Sequence, residues 1–394
     1  MIEGRDLVCF CNDWDGDPLS KKQIVTRLAA KNRVLWVNST GNRNPTVSAH
    51  DFRRAFTKVL AFLRGCRTVA ENISLFSPLV IPFHGNKVAR RINKSLLAWS
   101  LRRALRKLKF TRPITLTFVP SSADVVGTLG EETVVYYCVD EYSQFSGTDA
   151  KAILRMEQRL IEKSHLVVVS AGKLLATKQV HNANTRLITH GVDVAHFRKA
   201  CLAETVVPAE CADLRGPVIG FFGLIADWVD LETIRALAVA RPQWSFLLIG
   251  EVRTDITRLQ NLSNVRFTGR RPYQTLPAFC KAFDVAVLPF VWNELTLAAN
   301  PLKMREYLAA GLPLISTPLP EVMRLKHLVR MARTPEEYLA HIEQLIAAGR
   351  TGPDIALSRQ MDAESWDQKV EDLSALIERV RDSPSQPAVA PQVA

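Results

Sequence analysis

The sequence predicts an α/β protein made of two doubly wound domains in tandem. Short apolar runs alternate with amphipathic, helix-length segments along nearly the whole chain, which is typical of βαβ units around a parallel sheet. A polar stretch at 198–216 interrupts this pattern, which then starts again. The 394 residues are enough for two such domains, since one domain usually takes about 100–200 residues.

Strands are expected where apolar residues run uninterrupted, as they do when helices cover both faces of a parallel sheet. In the first half, the expected strands are 7–12, 33–38, 113–119, 133–139, 165–170 and 185–190. In the second half, they are 216–223, 244–251, 264–269, 284–290 and 312–317.

These runs also set the expected domain limits. A first domain is expected at 1–200, a linker at 201–216 and a second domain at 217–362. An amphipathic helix at 363–381 is expected to cross back to the first domain. The remaining 382–394, rich in Pro, Ser and Ala, is expected to be a disordered tail.

Composition excludes several classes of protein and locates the excess charge. Hydrophobic residues make up 47% and charged residues 23%, so the chain is neither disordered nor collagenous. The net charge is +12, and all the excess positive charge lies in the first third. Residues 1–120 hold 22 Lys and Arg against 7 Asp and Glu, whereas the rest holds 29 against 32. Part of the first domain is therefore expected to contact an anionic partner.

The seven cysteines are scattered and include no CxxC pair, which argues against a zinc site or a disulfide framework. They are expected to be mostly buried thiols of a reducing cytoplasm. No uncharged apolar run reaches the ~18 residues of a membrane span. The first 17 residues are too acidic for a signal peptide, so a cytoplasmic protein is expected.

Two basic segments, 52–64 and 87–109, are candidate membrane-facing helices. The second holds nine basic residues and no acidic residue along an apolar stripe, a pattern that suits an anionic membrane surface. A core-packed helix with a solvated basic back is an equal alternative, and nucleic acid is a third without a supporting motif. The residues expected to face the membrane are Arg53, Arg54, Phe56, Lys58, Arg90, Arg91, Arg102 and Arg103.

The segment 289–317 carries the strongest chemical signal. A polar loop follows an apolar strand and leads into a helix opened by Pro301, a favourable first-turn residue. The N-terminus of that helix offers backbone amides to an anion. Lys303 can add a charge for phosphate, and Glu306, one turn later, can accept hydrogen bonds from ribose hydroxyls.

This segment, NPLKMREYLAAGLPLIST, resembles the donor-binding segment of GT-B glycosyltransferases, which use nucleotide sugars. Further segments at 167–175, 188–197, 220–230 and 265–290 resemble that family in the same order, as does the late helix. The resemblance implies two Rossmann-like domains that face each other across a cleft.

The resemblance also implies a donor site. Gly223 and Leu224 would lie beside the diphosphate. Thr268, Gly269 and Arg270 would line the base. Asn300, Pro301 and Leu302 would also belong to the donor site. Lys303 would contact phosphate, and Glu306 would bind the ribose. His190, in the run THGVD, is expected either to contact the donor or to be a structural loop histidine.

The sequence departs from the family at two places. Retaining members of the largest related group carry a first glutamate where this chain has Ala298, and Glu294 comes four residues too early. The usual Arg and Lys after Gly223 are replaced by the run 225–228. An inverting mechanism is therefore favoured, with retention as the alternative.

An inverting transferase needs a general base for the acceptor hydroxyl. Asp140 and Glu141 end a strongly apolar strand, in a segment similar to those of the xanthan-type glucuronosyltransferases and of the teichuronic-acid-type transferases. Asp140 is the expected base, and a helix-capping role is its alternative.

Asp13, with Asp15 and Asp17, is the rival base. Their alternate spacing suggests a calcium loop, but Pro18 stands where the turn glycine belongs. Ser20 is expected to cap the helix that follows.

Together these features predict a transferase that moves a sugar from a UDP-sugar to a lipid-linked or saccharide acceptor. It would work at the inner face of the cell membrane, in assembly of a bacterial surface polysaccharide, without a cofactor or catalytic metal. A nucleotide-sugar epimerase of the same architecture and a non-enzymatic nucleic-acid-binding protein are the alternatives.

Overall fold

The computed structural model describes residues 1–39, 62, 64–79 and 87–382, with the backbone alone for 87–90. The chain forms two compact units. The first unit is Met1–Thr189 together with the chain from Lys369 onward, and the second unit is His190–Gln368.

The first unit contains an eight-stranded sheet in the order β3-β4-β2-β1-β5-β6-β7-β8. Its strands are β1 (Asp6–Phe10), β2 (Arg33–Val37), β3 (Arg67–Ala70), β4 (Ile73–Phe76), β5 (Ile114–Thr117), β6 (Thr133–Cys138), β7 (Leu166–Val169) and β8 (Thr185–Leu187). Neighbouring strands are parallel, except that β3 is antiparallel to β4. All six residues of β6 are buried, as expected for a strand covered on both faces.

The helices of the first unit follow its strands. They are α1 (Ser20–Ala29), α2 (Lys87–Leu108), α3 (Ala150–Lys163) and α4 (Gly172–Lys178), and short 3₁₀ turns lie at Pro120–Asp124 and Tyr142–Gln144.

The second unit contains a six-stranded sheet in the order β11-β10-β9-β12-β13-β14, parallel throughout. Its strands are β9 (Val218–Phe222), β10 (Ser245–Ile249), β11 (Val265–Gly269), β12 (Val285–Leu288), β13 (Leu314–Ser316) and β14 (Val329–Met331). Its helices are α5 (Val194–Phe197), α6 (Leu231–Ala240), α7 (Thr257–Gln260), α8 (Leu276–Cys280), α9 (Glu294–Leu297), α10 (Leu302–Ala309), α11 (Pro320–Met323), α12 (Pro335–Ala347), α13 (Ile355–Arg359) and the start of α14 (Trp366–Asp382).

The predicted α/β class is confirmed, and each expected strand is present. The sequence missed β3, β4 and β14. The residues of β3 are all partly or fully exposed, so this strand lacks the continuous apolar run by which the others were recognised. It pairs with β4 through a tight turn in which Asn72 has a φ of 58°. β14 is only three residues long.

The chain enters the second unit between Thr189 and His190, ahead of the expected boundary at 200. The residues expected to form a linker at 201–216 instead pack as part of the second unit. The Asp213 carboxylate, for example, forms an ion pair with Arg266 on β11, with an N–O distance of 2.6 Å. The helix expected at 363–381 is α14, which begins in the second unit and continues into the part grouped with the first.

All seven cysteines are free, and five of them are buried, which agrees with the expectation from their spacing. Among the described residues, no helix is both long and apolar enough to cross a membrane. Four residues expected to face a membrane, Arg53, Arg54, Phe56 and Lys58, lie outside the described residues, as do the side chain of Arg90 and the tail beyond Asp382.

Candidate active site

Three glycines lie at the carboxyl ends of adjacent strands in the second unit. Gly223 follows β9, Gly250 follows β10 and Gly269 ends β11. Their φ angles of 148°, 152° and 71° are in the region that favours glycine. The N–H of Gly250 donates to the carbonyl of Gly269 at 3.0 Å, and that of Gly223 donates to Ile249 at 2.9 Å. Bare backbone therefore forms this edge of the sheet.

At Gly250, and to a lesser degree at Gly223, the chain segments approach too closely for a side chain, whereas a Cβ on Gly269 would meet no atom within 4 Å. A Cβ on Gly250 would lie 1.7 Å from the carbonyl oxygen of Gly223. A Cβ on Gly223 would lie 3.2 Å from Cε of Lys303, so the lysine stem passes beside the backbone of Gly223. We call Gly223, Gly250, Gly269, Lys303 and Glu306 the glycine site.

Lys303 and Glu306 are brought together by the first turns of α10. Nζ of Lys303 lies 2.9 Å from Oε2 of Glu306 and 5.1 Å from the ring centroid of Phe222. The two side chains are 21% and 11% exposed, so a ligand can reach both charges. Pro301 is the N-cap of α10 rather than its first residue, and it makes no side-chain capping bond to the first-turn amides.

The segment before α10 is fixed from two sides. The carbonyl of Asn300 lies 2.9 Å from Nδ1 of His190, and Nη1 of Arg305 donates to Oδ1 of Asn300 at 2.6 Å. Nε of the buried Arg305 also donates to Glu364 at 3.0 Å. His190 is only 4% exposed, which favours its structural alternative over a donor contact. The positioning role of Arg305 was not predicted, because Glu364 is distant in the sequence and the path of the loop that holds Asn300 leaves no pattern in the sequence.

The remaining predicted donor residues surround the glycine site less tightly. Oγ1 of Thr268 donates to the carbonyl of Gly269 at 3.1 Å. Leu224 and Leu302 are half-buried, and Arg270 is exposed. Their contacts with a donor stay predictions.

The loop after β9 is tied to its neighbours by apolar residues. Ile225 pairs with Val252 and Val229 pairs with Phe290, both as isolated β-bridges. Ile225, the first residue of the run 225–228 that stands in place of the expected Arg and Lys, is fully buried.

The glutamates that would support retention do not converge on the expected position. Ala298, which stands where the first glutamate of retaining relatives would fall, is 2% exposed. Glu294 is exposed and begins the short helix α9, which Asn293 caps by accepting a hydrogen bond from the backbone of Thr296.

In the first unit, Asp140 follows the buried strand β6 and is itself half-buried. Burial raises the pKa of this carboxyl from 3.8 to about 6; the charge of Lys21 lowers the pKa and that of Glu141 raises it. Asp140 does not cap the next helix, since Asp149 caps α3 by accepting a hydrogen bond from the N–H of Ala152 at 3.0 Å.

Lys21, the second residue of α1, was not predicted as part of this site. It is 7% exposed, and its Nζ donates to Oδ1 of Asn12 at 2.8 Å and lies 5.4 Å from the ring centroid of Tyr142. Burial lowers its pKa, and the charge of Asp140 acts in the opposite direction. We call Asn12, Lys21, Asp140, Glu141 and Tyr142 the carboxylate site.

Glu141 is held in a buried ionic network. Its carboxylate accepts from Nζ of Lys178 at 2.9 Å and from the hydroxyl of Ser143 at 2.8 Å. Lys178 also donates to Glu157 at 2.8 Å, and Glu157 accepts from the hydroxyl of Tyr136 at 2.7 Å. Burial alone would lower the pKa of Lys178. The charge of Glu157, with smaller contributions that include the charge of Glu141, outweighs burial and raises this pKa. The geometry therefore suits Glu141 for positioning the loop rather than for catalysis.

The rival carboxylate Asp13 is exposed and lies in a turn where its carbonyl accepts from the N–H of Gly16 at 3.1 Å. The expectation that Ser20 caps α1 was wrong. The helix begins at Ser20 itself, and Leu19 occupies the N-cap without a side-chain capping bond. Within the described residues, no group of three or more His, Cys, Asp or Glu side chains could hold a metal ion.

The helix α2 has one buried face and one exposed face. Leu97, Leu101 and Leu105 are buried, and the predicted membrane-facing Arg91, Arg102 and Arg103 are exposed. The apolar stripe therefore packs in the core from Leu97 onward. Contact of the exposed face with a membrane stays a prediction.

Solved structures of similar fold assign the chain to the GT-B class of α/β proteins. HepE of Anabaena, in complex with UDP and glucose, has a TM-score of 0.65 at 14% identity, covering 95% of this chain and 100% of HepE. The trehalose-6-phosphate protein of E. coli bound with UDP-2-fluoro glucose has a TM-score of 0.62 at 12% identity, covering 96% and 99%. A sucrose-phosphate synthase of Thermosynechococcus elongatus has a TM-score of 0.61 at 16% identity, covering 96% of both chains. At these identities, the likeness shows the fold.

Sequence relatives narrow the class. Residues 216–348 match the model of the family described as Glycosyl transferases group 1. TuaH of Bacillus subtilis (strain 168), named as a glycosyltransferase of teichuronic acid biosynthesis, is 23% identical over 209 residues. That alignment covers 50% of this chain and 53% of TuaH, so the chain spans about half the length of this curated relative.

Residues 216–348 are therefore similar to group 1 glycosyltransferases, the fold is that of the GT-B class, and the chain is similar to a teichuronic-acid-type protein. The predicted resemblance is confirmed at this level. The matches favour neither the epimerase nor the nucleic-acid-binding alternative.

Proposed function

We propose that this protein is an inverting glycosyltransferase that moves a sugar from a UDP-sugar to a hydroxyl of a lipid-linked acceptor. The observation that carries the proposal is the Lys303–Glu306 ion pair in the first turns of α10. The pair lies beside the backbone of Gly223, within the residues 216–348 that match the family model.

The glycine site suits a nucleoside diphosphate. Backbone glycines allow a diphosphate to approach the strand ends, and the first-turn amides of α10 can donate to its oxygens. Lys303 supplies a positive charge for phosphate, and Glu306 accepts hydrogen bonds from the ribose hydroxyls. The choice of UDP is supported by two fold neighbours, whose structures hold UDP with glucose and UDP-2-fluoro glucose.

In the proposed reaction, Asp140 is the general base. It takes the proton of the acceptor hydroxyl as that oxygen attacks the anomeric carbon, and the nucleoside diphosphate leaves with the electrons of the broken bond. A base with a pKa near 6 is largely ionised at neutral pH yet still accepts a proton more readily than an ordinary carboxylate.

The departing diphosphate would be stabilised by Lys303 and the amides of α10, so the proposal includes no cofactor and no catalytic metal. Inversion is supported by the alanine at 298, buried where retaining relatives have a glutamate. Retention through the exposed Glu294 is the alternative mechanism, and the stereochemistry of the product separates the two.

The acceptor and the place of action are proposed from charge and similarity. The excess of basic residues in the first third suits a protein that works at an anionic membrane surface. The name of TuaH refers to teichuronic acid biosynthesis, which supports a step in the assembly of a bacterial surface polysaccharide at the cytoplasmic face of the membrane.

A binding experiment tests the donor first. The melting temperature of the protein is measured with UDP, GDP, dTDP, CMP and their sugars, because a ligand that binds only the folded state raises it. We expect UDP and one UDP-sugar to raise the melting temperature, Glu306→Ala to abolish this effect, and the control Glu294→Ala to retain it. If no nucleotide has an effect on the wild-type protein, the proposed donor is wrong.

A further inference from the structure

The exposed face of α2 carries two large apolar side chains. Ile92 is 49% exposed and Trp99 is 55% exposed. They are seven residues apart, about two helical turns, so they point in the same direction. Arg103 and Arg106 follow Trp99 at the i+4 and i+7 positions and are exposed on the same face. We call Ile92, Trp99, Arg103 and Arg106 the tryptophan face.

The orientation of this face is fixed by the core. Leu97, Leu101 and Leu105 lie on the opposite side of α2 and are at most 5% exposed. Rotating the helix to bury Trp99 would expose these three leucines. The indole therefore stays outside as long as the first unit is folded.

The charged residues of α2 are all of one sign. The segment 87–109 contains nine basic residues and no acidic residue. Arg102 is bound to the carbonyl of Thr128 at 2.7 Å, and among the described residues no carboxylate forms an ion pair with Arg103 or Arg106. The guanidinium groups of Arg103 and Arg106 lie on the turns that follow Trp99. Nε of Arg106 donates to the carbonyl of Arg102 at 3.4 Å, and the remaining N–H groups of both side chains can contact an anionic partner.

The clustering distinguishes this face from other exposed apolar residues. In the described part of the first unit, the other large apolar side chains that are exposed lie singly: Leu19, Leu154 and Val180. Isolated exposed apolar residues are common on soluble proteins and need no partner. An indole and an isoleucine on one face of a helix, followed by arginines on the same face, are the composition of a helix that lies in a membrane interface.

We infer that the tryptophan face is a docking surface for an anionic lipid bilayer. Trp99 and Ile92 enter the boundary between headgroups and acyl chains, while Arg103 and Arg106 remain at the level of the lipid phosphates. This inference rests on the proposed function, in which the acceptor is lipid-linked. It concerns binding of the protein to the bilayer itself, so it can be tested without donor or acceptor. Nucleic acid, which would use the arginines alone, is an outcome of the same test.

The test is co-sedimentation of the full chain with phosphatidylcholine vesicles that contain or lack phosphatidylglycerol. We expect binding to the anionic vesicles that weakens with salt. The double variant Arg103→Glu/Arg106→Glu should bind at least about tenfold more weakly, because each basic residue near such a surface contributes ~1 kcal/mol. The double variant Trp99→Ser/Ile92→Ser should also lose binding, because the apolar residues insert.

The matched control is Leu154→Ser/Arg155→Glu, an exposed apolar and basic pair on α3 of the same unit, which should bind as the wild type does. UDP binding should be the same in all variants, so failure of the docking surface is separable from failure of the proposed donor. Equal vesicle binding by the wild type and both double variants of the tryptophan face would overturn the inference. So would binding to duplex or single-stranded nucleic acid that depends on Arg103 and Arg106 but not on Trp99.

Discussion

The glycine site of the second unit and the carboxylate site of the first unit arrange charge in different ways. In the glycine site, the half-buried Lys303 forms an ion pair with the buried Glu306 beside backbone that carries no side chains. In the carboxylate site, Lys21 is 7% exposed and bonded to an amide, and the pKa of Asp140 is raised to about 6 by burial.

This difference indicates two tasks. A site made of glycine backbone and an ion pair at the strand ends can exchange the contact within the pair for contacts with a charged ligand, so that no charge is left buried without a partner. A site in which burial shifts carboxyl and amine pKa values towards neutrality is suited to moving a proton. Substitutions that separate the tasks should therefore affect binding in one unit and proton transfer in the other.

The largest expected effect is on the rate. Asp140→Asn removes the proposed base, so we expect the turnover rate to fall about 10²–10⁴-fold, the usual contribution of general base catalysis. In the wild-type protein, kcat/KM should rise with pH through about 6 as Asp140 ionises. The affinity for UDP should not change, because that ligand belongs to the second unit.

The control for this rate is Asp13→Asn, which removes the exposed rival carboxylate and should leave turnover within a few-fold of the wild type. If Asp13→Asn and not Asp140→Asn abolishes turnover, the base has been assigned to the wrong loop.

The next largest effect is on donor affinity. Glu306→Gln and Lys303→Met each remove a charge-assisted contact to the nucleotide, and such contacts contribute about 1.5–3 kcal/mol. We expect UDP to bind about 10–100-fold more weakly to each variant, as measured by calorimetry. Glu294→Gln, on the neighbouring loop, should bind UDP as the wild type does. An unchanged affinity in both variants of α10 would place the nucleotide elsewhere.

The glycine site could be predicted from the sequence because its chemistry is local. Lys303 and Glu306 lie in one short segment, and Gly223 and Gly269 end strands that are recognisable by their apolar runs. Gly250 was not singled out, since its role depends on the 1.7 Å approach to the carbonyl of Gly223, which only the structure shows.

The carboxylate site was only half predictable. Asp140 was proposed from its place after β6, and its role stays a prediction. Lys21 belongs to α1, and the order β1-β5-β6 in the sheet is what brings the two loops to one edge. The Lys178 network around Glu141 depends likewise on contacts between β6, α3 and α4. Pairings between residues distant in the chain leave no local pattern in one sequence.

A smaller effect is expected on the free energy of unfolding, which the substitution Asp140→Asn should raise rather than lower at neutral pH. Because the pKa of Asp140 is raised in the folded state, the folded chain binds more protons than the unfolded chain between pH ~4 and ~6. The extra bound proton stabilises the folded state at low pH, so the free energy of unfolding falls as pH rises through that window. Asp140→Asn should be more stable than the wild type above pH ~6, by on the order of 1–3 kcal/mol, and should lose this advantage below pH ~4.

Urea unfolding at the two pH values measures this difference. A loss of stability in Asp140→Asn at neutral pH would mean that the carboxylate stabilises the fold, and the comparison between a binding unit and a proton-transfer unit would fail.

The smallest expected effect concerns Lys21, which lowers the pKa of Asp140 by its charge. Lys21→Met removes that charge, so the pKa of Asp140 should rise and the acid limb of the pH profile of kcat/KM should move to higher pH. Near pH 6 the variant should be a few-fold slower than the wild type, whereas above pH 8, where Asp140 is ionised in both, the rates should converge. Lys22→Met is the matched control, since Nζ of Lys22 donates to the carbonyl of Trp14 at 2.8 Å and lies 4.4 Å from that indole. A uniform loss of rate at every pH in Lys21→Met would instead indicate that the lysine acts only through Asn12, by holding the first loop in place.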